Sequence, residues 1–533
     1  MPVGCYRGTV EPILGPPGTG KTTALLGRFE RELRAGVPAA AVSVVTFTRA
    51  ARTEFLNRAE VRFSLARDEL PWVRTIHSTA YRLLLRPTLV TAPDLREFRD
   101  RYGYDLSDPG THDLEEGATE LPRQTTDDLL RHAYEWGRTR CLDPDRTIAR
   151  YPGLLSAQSF LRFVTRYEAW KAEHRLWDFT DLLERVLRER LRPEVVAAIV
   201  DEGQDLSPLQ WAVVEMWFAD CDRVYIAGDD DQAIYAFQGA DSGRLLRLAT
   251  LYTPTVLAQS YRVPGTVHAL AERIVGRNRQ RIVKVYRPTP EAGTVERSEL
   301  ERAVAELPAD ANVLVLCRNR MFLRGIADAL MRRCVPFIVE GVGALNPLGS
   351  EAVCYAAKQA QRLARGEDLH AAGLAALLEQ IPSRGAGLLP HGVKAKVKRM
   401  DRRVSLAEMR DSLGLDTLLA VIERNGAADV LRKLRAEHRS YLGGILARYG
   451  TVPTPTICLT TIHGSKGREA DTVLVVPDMT PATFAEYTDG RHGGAEAETR
   501  VAYVATTRTK RRLIIARPST RRFYDYPQMR GVA

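Results

Sequence analysis

The chain has 533 residues, 45% of them hydrophobic and 27% charged, with a net charge of +10. This is the balance of an ordinary globular protein, long enough for three or four domain-sized units. No apolar run approaches the length of a membrane span and the N-terminus carries no signal-peptide core, so a soluble cytoplasmic protein without a membrane partner is expected. Cys5, Cys141, Cys221, Cys317, Cys334, Cys354 and Cys458 are scattered without zinc-site or Cys-x-x-Cys spacing, which is the usage of reduced thiols in a reducing compartment. The positive excess suits a polyanionic partner without demanding one.

In chain order, the first predicted strand, Glu11–Leu14, runs into "GPPGTGKT", Gly15–Thr22, and then into the helical stretch "TTALLGRFERELR". The run fills every fixed position of Gly-x-x-x-x-Gly-Lys-Ser/Thr, in the strand–loop–helix setting that this pattern needs. Gly15, Gly18 and Gly20 let backbone N–H groups turn inward on phosphates, with Pro16, Pro17, Thr19 and Thr23 completing the cradle. The helix N-terminus adds partial positive charge. Lys21 is placed to reach the β- and γ-phosphates, and the Thr22 hydroxyl to hold Mg²⁺. ATP and Mg²⁺ are therefore the expected cofactors.

"VSVVTFT" reads as the next strand, followed by a polar, charged and helical stretch from 85 to 177. "AAIVDEGQD" then delivers Asp201 and Glu202 at a strand's C-terminal end, where parallel α/β sheets place ligands. Asp201 is expected to hold the metal through water, and Glu202 to orient or deprotonate the attacking water. "RVYIAGDDDQAIYAFQGA" is a strand that ends in three aspartates, Gln232, and two loop aromatics, Tyr235 and Phe237. A second set of apolar runs follows: "TVLAQSYR", "NVLVLCRN", "PFIVEG", "TICLTTIHG", "DTVLVVPD" and "RRLIIA". The stretch 346–451 interrupts that set and is again helical in pattern. The alternation predicts an α/β chain with two parallel sheets, both faces of each covered, and a mainly helical insertion in each domain. The expected division is 1–84 and 178–258 for the first domain, with 85–177 inserted; 259–345 and 452–533 form the second, with 346–451 inserted.

Taken together, "GPPGTGKTT", "VVTFTRAARTEF", "TIHSTAYRLL", "WDFTDLL", "IVDEGQDLSPLQW", "IAGDDDQAIYAFQGA", "LAQSYRVP", "LTTIHGSKGREADTVLVV" and "AYVATTRTKRRLIIA" resemble the UvrD/Rep type of superfamily 1 DNA helicases. The order is that family's order, and it spans nearly the whole chain. The resemblance implies two RecA-like P-loop domains that close on ATP at their interface. It implies an ATP-dependent translocase on single-stranded DNA and a 3′→5′ DNA helicase, acting in repair, recombination or replication. By the same resemblance, Gln232 senses the γ-phosphate, while Arg262 and Arg508 reach it from the second domain. Tyr261 stacks on the adenine and Glu469 bonds the ribose. Tyr235 and Phe237 contact bases, and Phe47, Thr48, Thr75, His77, His463 and Lys466 contact DNA. The implied partners are single-stranded DNA, single-strand/duplex junctions and a replication or repair protein, with the chain itself a monomer. Two other readings stay open: a DNA-stimulated ATPase clamp or switch that does not unwind, and the motor subunit of a helicase–nuclease assembly.

The chain departs from the family pattern in four places. Its first glutamine is Gln124, so no side-chain amide precedes the P-loop to read adenine, and weak discrimination among nucleotides is expected. Gln238 stands where the family commonly has arginine. "KGREA" replaces the usual apolar pair around Glu469. The second insertion is short. Its basic run Val393–Arg403 reads either as a contact for duplex phosphates or as a solvated helix face.

Overall fold

The computed structural model describes residues 6–107, 125–151, 153, 155–308, 311–340, 345–383, 385–489 and 493–528. Six strands, β1 (Thr9–Leu14), β2 (Val42–Thr46), β3 (Val73–Thr75), β4 (Ala197–Val200), β5 (Arg223–Gly228) and β6 (Thr255–Val256), form one sheet. Its order is β3-β2-β4-β5-β1-β6, and every pairing is parallel. A second sheet uses β7 (Thr294–Ser298), β8 (Val313–Cys317) and β9 (Phe337–Val339). A two-residue antiparallel ribbon, β10 (Leu369–His370) with β11 (Arg403–Val404), follows. The second sheet resumes with β12 (Ile457–Thr461), β13 (Ala470–Val476) and β14 (Thr509–Ala516). Its order is β7-β14-β13-β8-β12-β9, again parallel throughout.

The expected α/β class and its two parallel sheets are what the chain forms. β2, β4, β8 and β12 are buried along their whole length, as continuous apolar runs covered on both faces must be. The run "TVLAQSYR", grouped with the second set by its pattern, straddles the expected boundary at 258: its strand residues, Thr255 and Val256, pair with Ile13 and Leu14 at the edge of the first sheet, inside the expected first domain. β3 and β7 are edges too, and no apolar run announced them. In β7 only Val295 is buried. An edge strand has one neighbour and less cover, so it does not need the run that marks a central strand.

Between β3 and β4 the described chain is helical. Four of its helices, Ala92–Tyr102, Thr126–Thr139, Pro144–Arg150 and Ala157–His174, share an aromatic core of their own that includes Phe98, Tyr134, Phe163, Tyr167 and Trp170. "WDFTDLL" ties this unit to the sheet. Asp178 caps the helix Phe179–Glu189, and Asp181 accepts from the Asp178 N–H at 2.7 Å. Both carboxylates also take Lys171 Nζ, at 2.7 and 2.8 Å, and Arg138 reaches Asp181 and Glu184 at 2.6 Å each. Between β9 and β12 the helices behave differently. Leu374, Leu377 and Leu418 belong to the same apolar cluster as Val313 and Leu459 of the second sheet. The basic run there is internally engaged: Lys394 donates to Ile381 O at 2.7 Å, Lys396 to Ser412 O at 2.8 Å, and Lys398 pairs with Glu379 at 2.9 Å. No described helix is long and apolar enough to cross a membrane.

Candidate active site and nucleic-acid face

The strand ends β1, β4 and β5 lie side by side and place three loops on one edge of the first sheet. The first is the phosphate-type loop. Gly15 N donates to Gly228 O at 3.0 Å, which fastens its start to the end of β5. Gly18 has φ +72°, and a Cβ there would lie 2.4 Å from Arg262 Cβ and 2.9 Å from Ser260 Oγ, so only glycine fits. Ser260 Oγ donates to Pro17 O and Tyr261 N to Gly18 O, both at 2.8 Å, seating the segment Ser260–Arg262 directly on this loop.

Lys21 opens the helix Lys21–Arg34, and its Nζ lies 3.2 Å from Glu202 Oε1. Glu202 follows β4 with φ +54°, a left-handed conformation that costs a non-glycine residue about 1–2 kcal/mol. The neighbouring Asp201 accepts from the Glu202 N–H at 2.9 Å, and Gln204 Nε2 donates to the Glu202 carboxylate. Burial and the Glu202 charge push the Asp201 carboxyl up. Burial acts on Glu202 in the same sense, but Lys21 and Lys466 outweigh it and hold that carboxylate down. Burial would depress the Lys21 ammonium, and Glu202, Asp201 and Asp229 together hold it above its usual range. Asp201, 7% exposed, forms no ion pair within 4 Å among the described residues.

The third loop brings Gln232. Its Nε2 donates to Asp229 at 2.7 Å, and its Oε1 accepts from Arg508 Nη2 at 2.9 Å. Arg508 comes from the second sheet's side, just before β14, and is 2% exposed. It donates otherwise only to carbonyls, Val504 O at 3.2 Å and Arg468 O at 3.3 Å, with no carboxylate within 4 Å among the described residues. Burial and the nearby Arg262 push it down to about 9. A guanidinium buried without a counter-ion is a standing site for an anion. Arg262 is different: its Nε donates to Glu469 at 2.6 Å, and Glu469 also pairs with Lys510 at 2.6 Å. Tyr261 is 76% exposed.

The residues expected at nucleic acid fall into two groups. Phe47 stacks on Tyr235 with ring centroids 5.5 Å apart, and the Tyr235 hydroxyl donates to His463 O at 3.4 Å. Lys466 Nζ lies 5.1 Å from the same ring, donates to Gln232 O at 3.1 Å and pairs with Asp205. Tyr235 is 3% exposed and in this conformation offers no face to a base; Phe237, 37% exposed, does. His463 is 2% exposed; its Nε2 lies 3.2 Å from Ile234 O, and burial holds its pKa well below the usual value. A carbonyl can only accept, so Nε2 carries the proton in this bond. Thr48 and Thr75 accept from Ala51 N and Ser78 N at 3.1 and 3.3 Å, capping the helices Arg49–Phe63 and Ile76–Leu83. His77 packs edge-to-face on Phe179 with centroids 5.7 Å apart. Sequence reasoning missed Gln204, whose Oε1 accepts from Asp229 N at 2.9 Å and so links two of the three loops. It also missed Asp205, the partner of Lys466. Both lie inside "VDEGQD" but carry no pattern that separates them from loop residues.

Two parallel sheets, one presenting a P-loop and a strand-end Asp-Glu pair and the other presenting a buried arginine to them, define a P-loop ATPase of two α/β units. Residues 3–253 match the UvrD/REP helicase N-terminal domain, and residues 447–520 match the UvrD-like helicase C-terminal domain. The ATP-dependent DNA helicase UvrD2 of Mycobacterium tuberculosis is 26% identical over 569 aligned positions, covering 95% of this chain and 76% of its own length. The putative ATP-dependent DNA helicase YjcD of Bacillus subtilis is 22% identical over 600, covering 96% and 77%. A shorter match, 28% over 302, joins 46% of this chain to 27% of the RecBCD enzyme subunit RecB of Mycobacterium tuberculosis. The chain belongs to the UvrD/Rep family of superfamily 1 helicases and is an ATP-dependent DNA helicase.

Proposed function

We propose that the chain converts ATP hydrolysis in the cleft between its two sheets into 3′→5′ movement along single-stranded DNA, and separates duplex at the junction. The observation that supports it most is Arg508: a buried cation with no carboxylate partner among the described residues, carried on the second sheet's side and bonded to Gln232 on the first. Closure of the two units around a nucleotide would be felt at that bond. In this reading residues 1–84 and 178–258 form the first RecA-like domain and 259–345 with 452–533 the second, with helical insertions at 85–177 and 346–451.

The nucleotide phosphates lie on Gly15–Thr23, with Lys21 at the β- and γ-phosphates. Thr22 and Asp201 offer the hard oxygen ligands that suit Mg²⁺, and a buried carboxylate without an ion pair fits a cation. That ion would neutralise charge on the phosphate oxygens. Glu202 orients and deprotonates the attacking water, Gln232 holds the water or a γ-phosphate oxygen, and Arg508 and Arg262 meet the transferring phosphoryl group. For Arg262 and Glu469 to reach phosphate and ribose, their mutual ion pair has to open. Tyr261, exposed beside Gly18, stacks on the base. A stacking face tolerates every base, so kcat/KM for GTP and dATP is expected within about tenfold of ATP, a gap of about 1.4 kcal/mol. A preference for ATP above a hundredfold, measured with saturating single-stranded DNA, would mean that another group reads adenine.

Phe237, packed against Tyr235 and His463, is the exposed base-stacking side chain, and the proposed DNA-contacting residues otherwise are Phe47, Thr48, Thr75, His77, Tyr235, His463 and Lys466. Phe237→Ala is expected to weaken binding to single-stranded DNA by about 1–3 kcal/mol with its melting temperature nearly unchanged. Tyr235→Ala should instead lose about 3–5 kcal/mol of stability, because it removes a buried ring. Equilibrium binding and thermal melts on both variants check the contrast; equal destabilisation would refute it.

A strand-displacement assay on 3′-tailed and 5′-tailed duplexes tests the whole reading. Preference for the 3′ tail is expected, and preference for the 5′ tail would overturn the direction. The RecB match favours one second reading, a motor subunit of a helicase–nuclease assembly. Single-stranded DNA that stimulates ATP hydrolysis by the chain alone, without any displacement, would favour either this reading or the DNA-stimulated clamp or switch.

A further inference from the structure

Asp229, Asp230 and Asp231 are three adjacent carboxylates, each fully buried; Asp229 accepts from Gln232, and nothing above explains why the other two stand beside it. Their counter-charges come from the second sheet's side. Lys284, 3% exposed, places Nζ 3.0 Å from Asp229, 2.8 Å from Asp231 and against Asp230. An ammonium carries three protons and no acceptor, so three carboxylates saturate it. Arg281 donates to Asp231 through Nε at 2.8 Å and Nη2 at 2.6 Å. Ile282 N donates to Asp230 at 2.9 Å, and Arg500 Nε to Asp230 O at 3.1 Å. Residues 281–284 follow the helix Gly265–Val275, and Arg500 lies in the helix Gly494–Thr506; both helices pack into the core of the second sheet. The loop that leaves β5 of the first sheet is thus gripped by cations of the second.

The grip continues to Gln232. Asp229 can only accept and Arg508 can only donate, so the Gln232 amide between them, at 2.7 and 2.9 Å, fits one way round only. We propose that Lys284 is a positioning residue for ATP hydrolysis: it fixes Asp229, which locks the Gln232 amide against Arg508. This rests on the reading of Gln232 given above. Segment 281–284 is then the part of the second unit that sets a reacting side chain of the first. Without the ammonium, three buried carboxylates face one another with Arg281, on Asp231, as the side-chain cation left within 4 Å among the described residues, and Asp229 turns away from its neighbours. Gln232 then loses its fixed acceptor.

The test uses the full chain, saturating oligo-dT, and the variants Lys284→Met, Asp229→Asn, Gln232→Ala and Lys284→Met/Gln232→Ala. A misplacement near 1 Å costs up to about a hundredfold, so kcat should fall about ten- to a hundredfold in Lys284→Met, with KM for ATP within about threefold. The double variant should be no slower than Gln232→Ala, because the second change removes an interaction already lost. Should Lys284→Met fail to fold by thermal melt, Asp229→Asn carries the test. Asparagine donates as well as accepts, so Gln232 is unlocked while Lys284 keeps two carboxylates. Wild-type kcat in folded Asp229→Asn, or a double variant slowed by the product of the two singles, overturns the proposal. An unchanged kcat in Gln232→Ala overturns the reading of Gln232 itself and this inference with it.

Discussion

Glu202→Gln is expected to lower steady-state ATP turnover by about 10²–10⁴-fold, the range for loss of a positioned general base. The same variant should bind ATP at least as well as the parent chain. Glu202 is a direct counter-ion of Lys21, at 3.2 Å, and a neutral amide leaves that ammonium free for phosphate. Lys21→Ala should lose turnover by about 10²–10³-fold through its missing charge clamp, and unlike Glu202→Gln it should lose nucleotide affinity as well. Steady-state hydrolysis and equilibrium nucleotide binding on both variants separate the two roles. Near-parental turnover in either would remove these residues from the chemistry.

Arg508→Ala is expected to cost more, about 10³–10⁵-fold in kcat, the range for an arginine that meets a transferring phosphoryl group. Arg508→Lys should recover little of it. The guanidinium spans three acceptors at once, Gln232 Oε1, Val504 O and Arg468 O, and an ammonium on a flexible stem does not match that fork. Among the described residues no carboxylate within 4 Å loses its counter-ion, so the damage should fall on kcat more than on the melting temperature. A kcat within tenfold of the parent in either folded variant would show that the buried charge serves folding instead.

The sequence by itself determined the class of the fold, the P-loop, the strand-end Asp-Glu pair and the family. Each of those is local. A P-loop is eight consecutive residues whose pattern is its mechanism, and a central strand of a parallel sheet must be a continuous apolar run because both faces are covered. Edge strands escape that rule, which is why no apolar run announces β3 and β7, and why Thr255–Val256, grouped by pattern with the second set of runs, pairs at the edge of the first sheet. The partners of the three aspartates were illegible for another reason. Lys284 lies in "IVKVY", where exposed Val283 and Val285 alternate with buried Lys284 and Tyr286, so apolar pattern alone reads the segment inside out. The same holds for Tyr235 and Phe237, two residues apart in one loop: one is walled in by Phe47, His463 and Lys466, and the other packs edge-on against His463 with 37% of its surface exposed. Only tertiary structure decided these points. Whether a charge is a solvated surface group or a buried counter-ion depends on what a distant segment brings within about 3 Å, and in this chain that segment belongs to the other sheet.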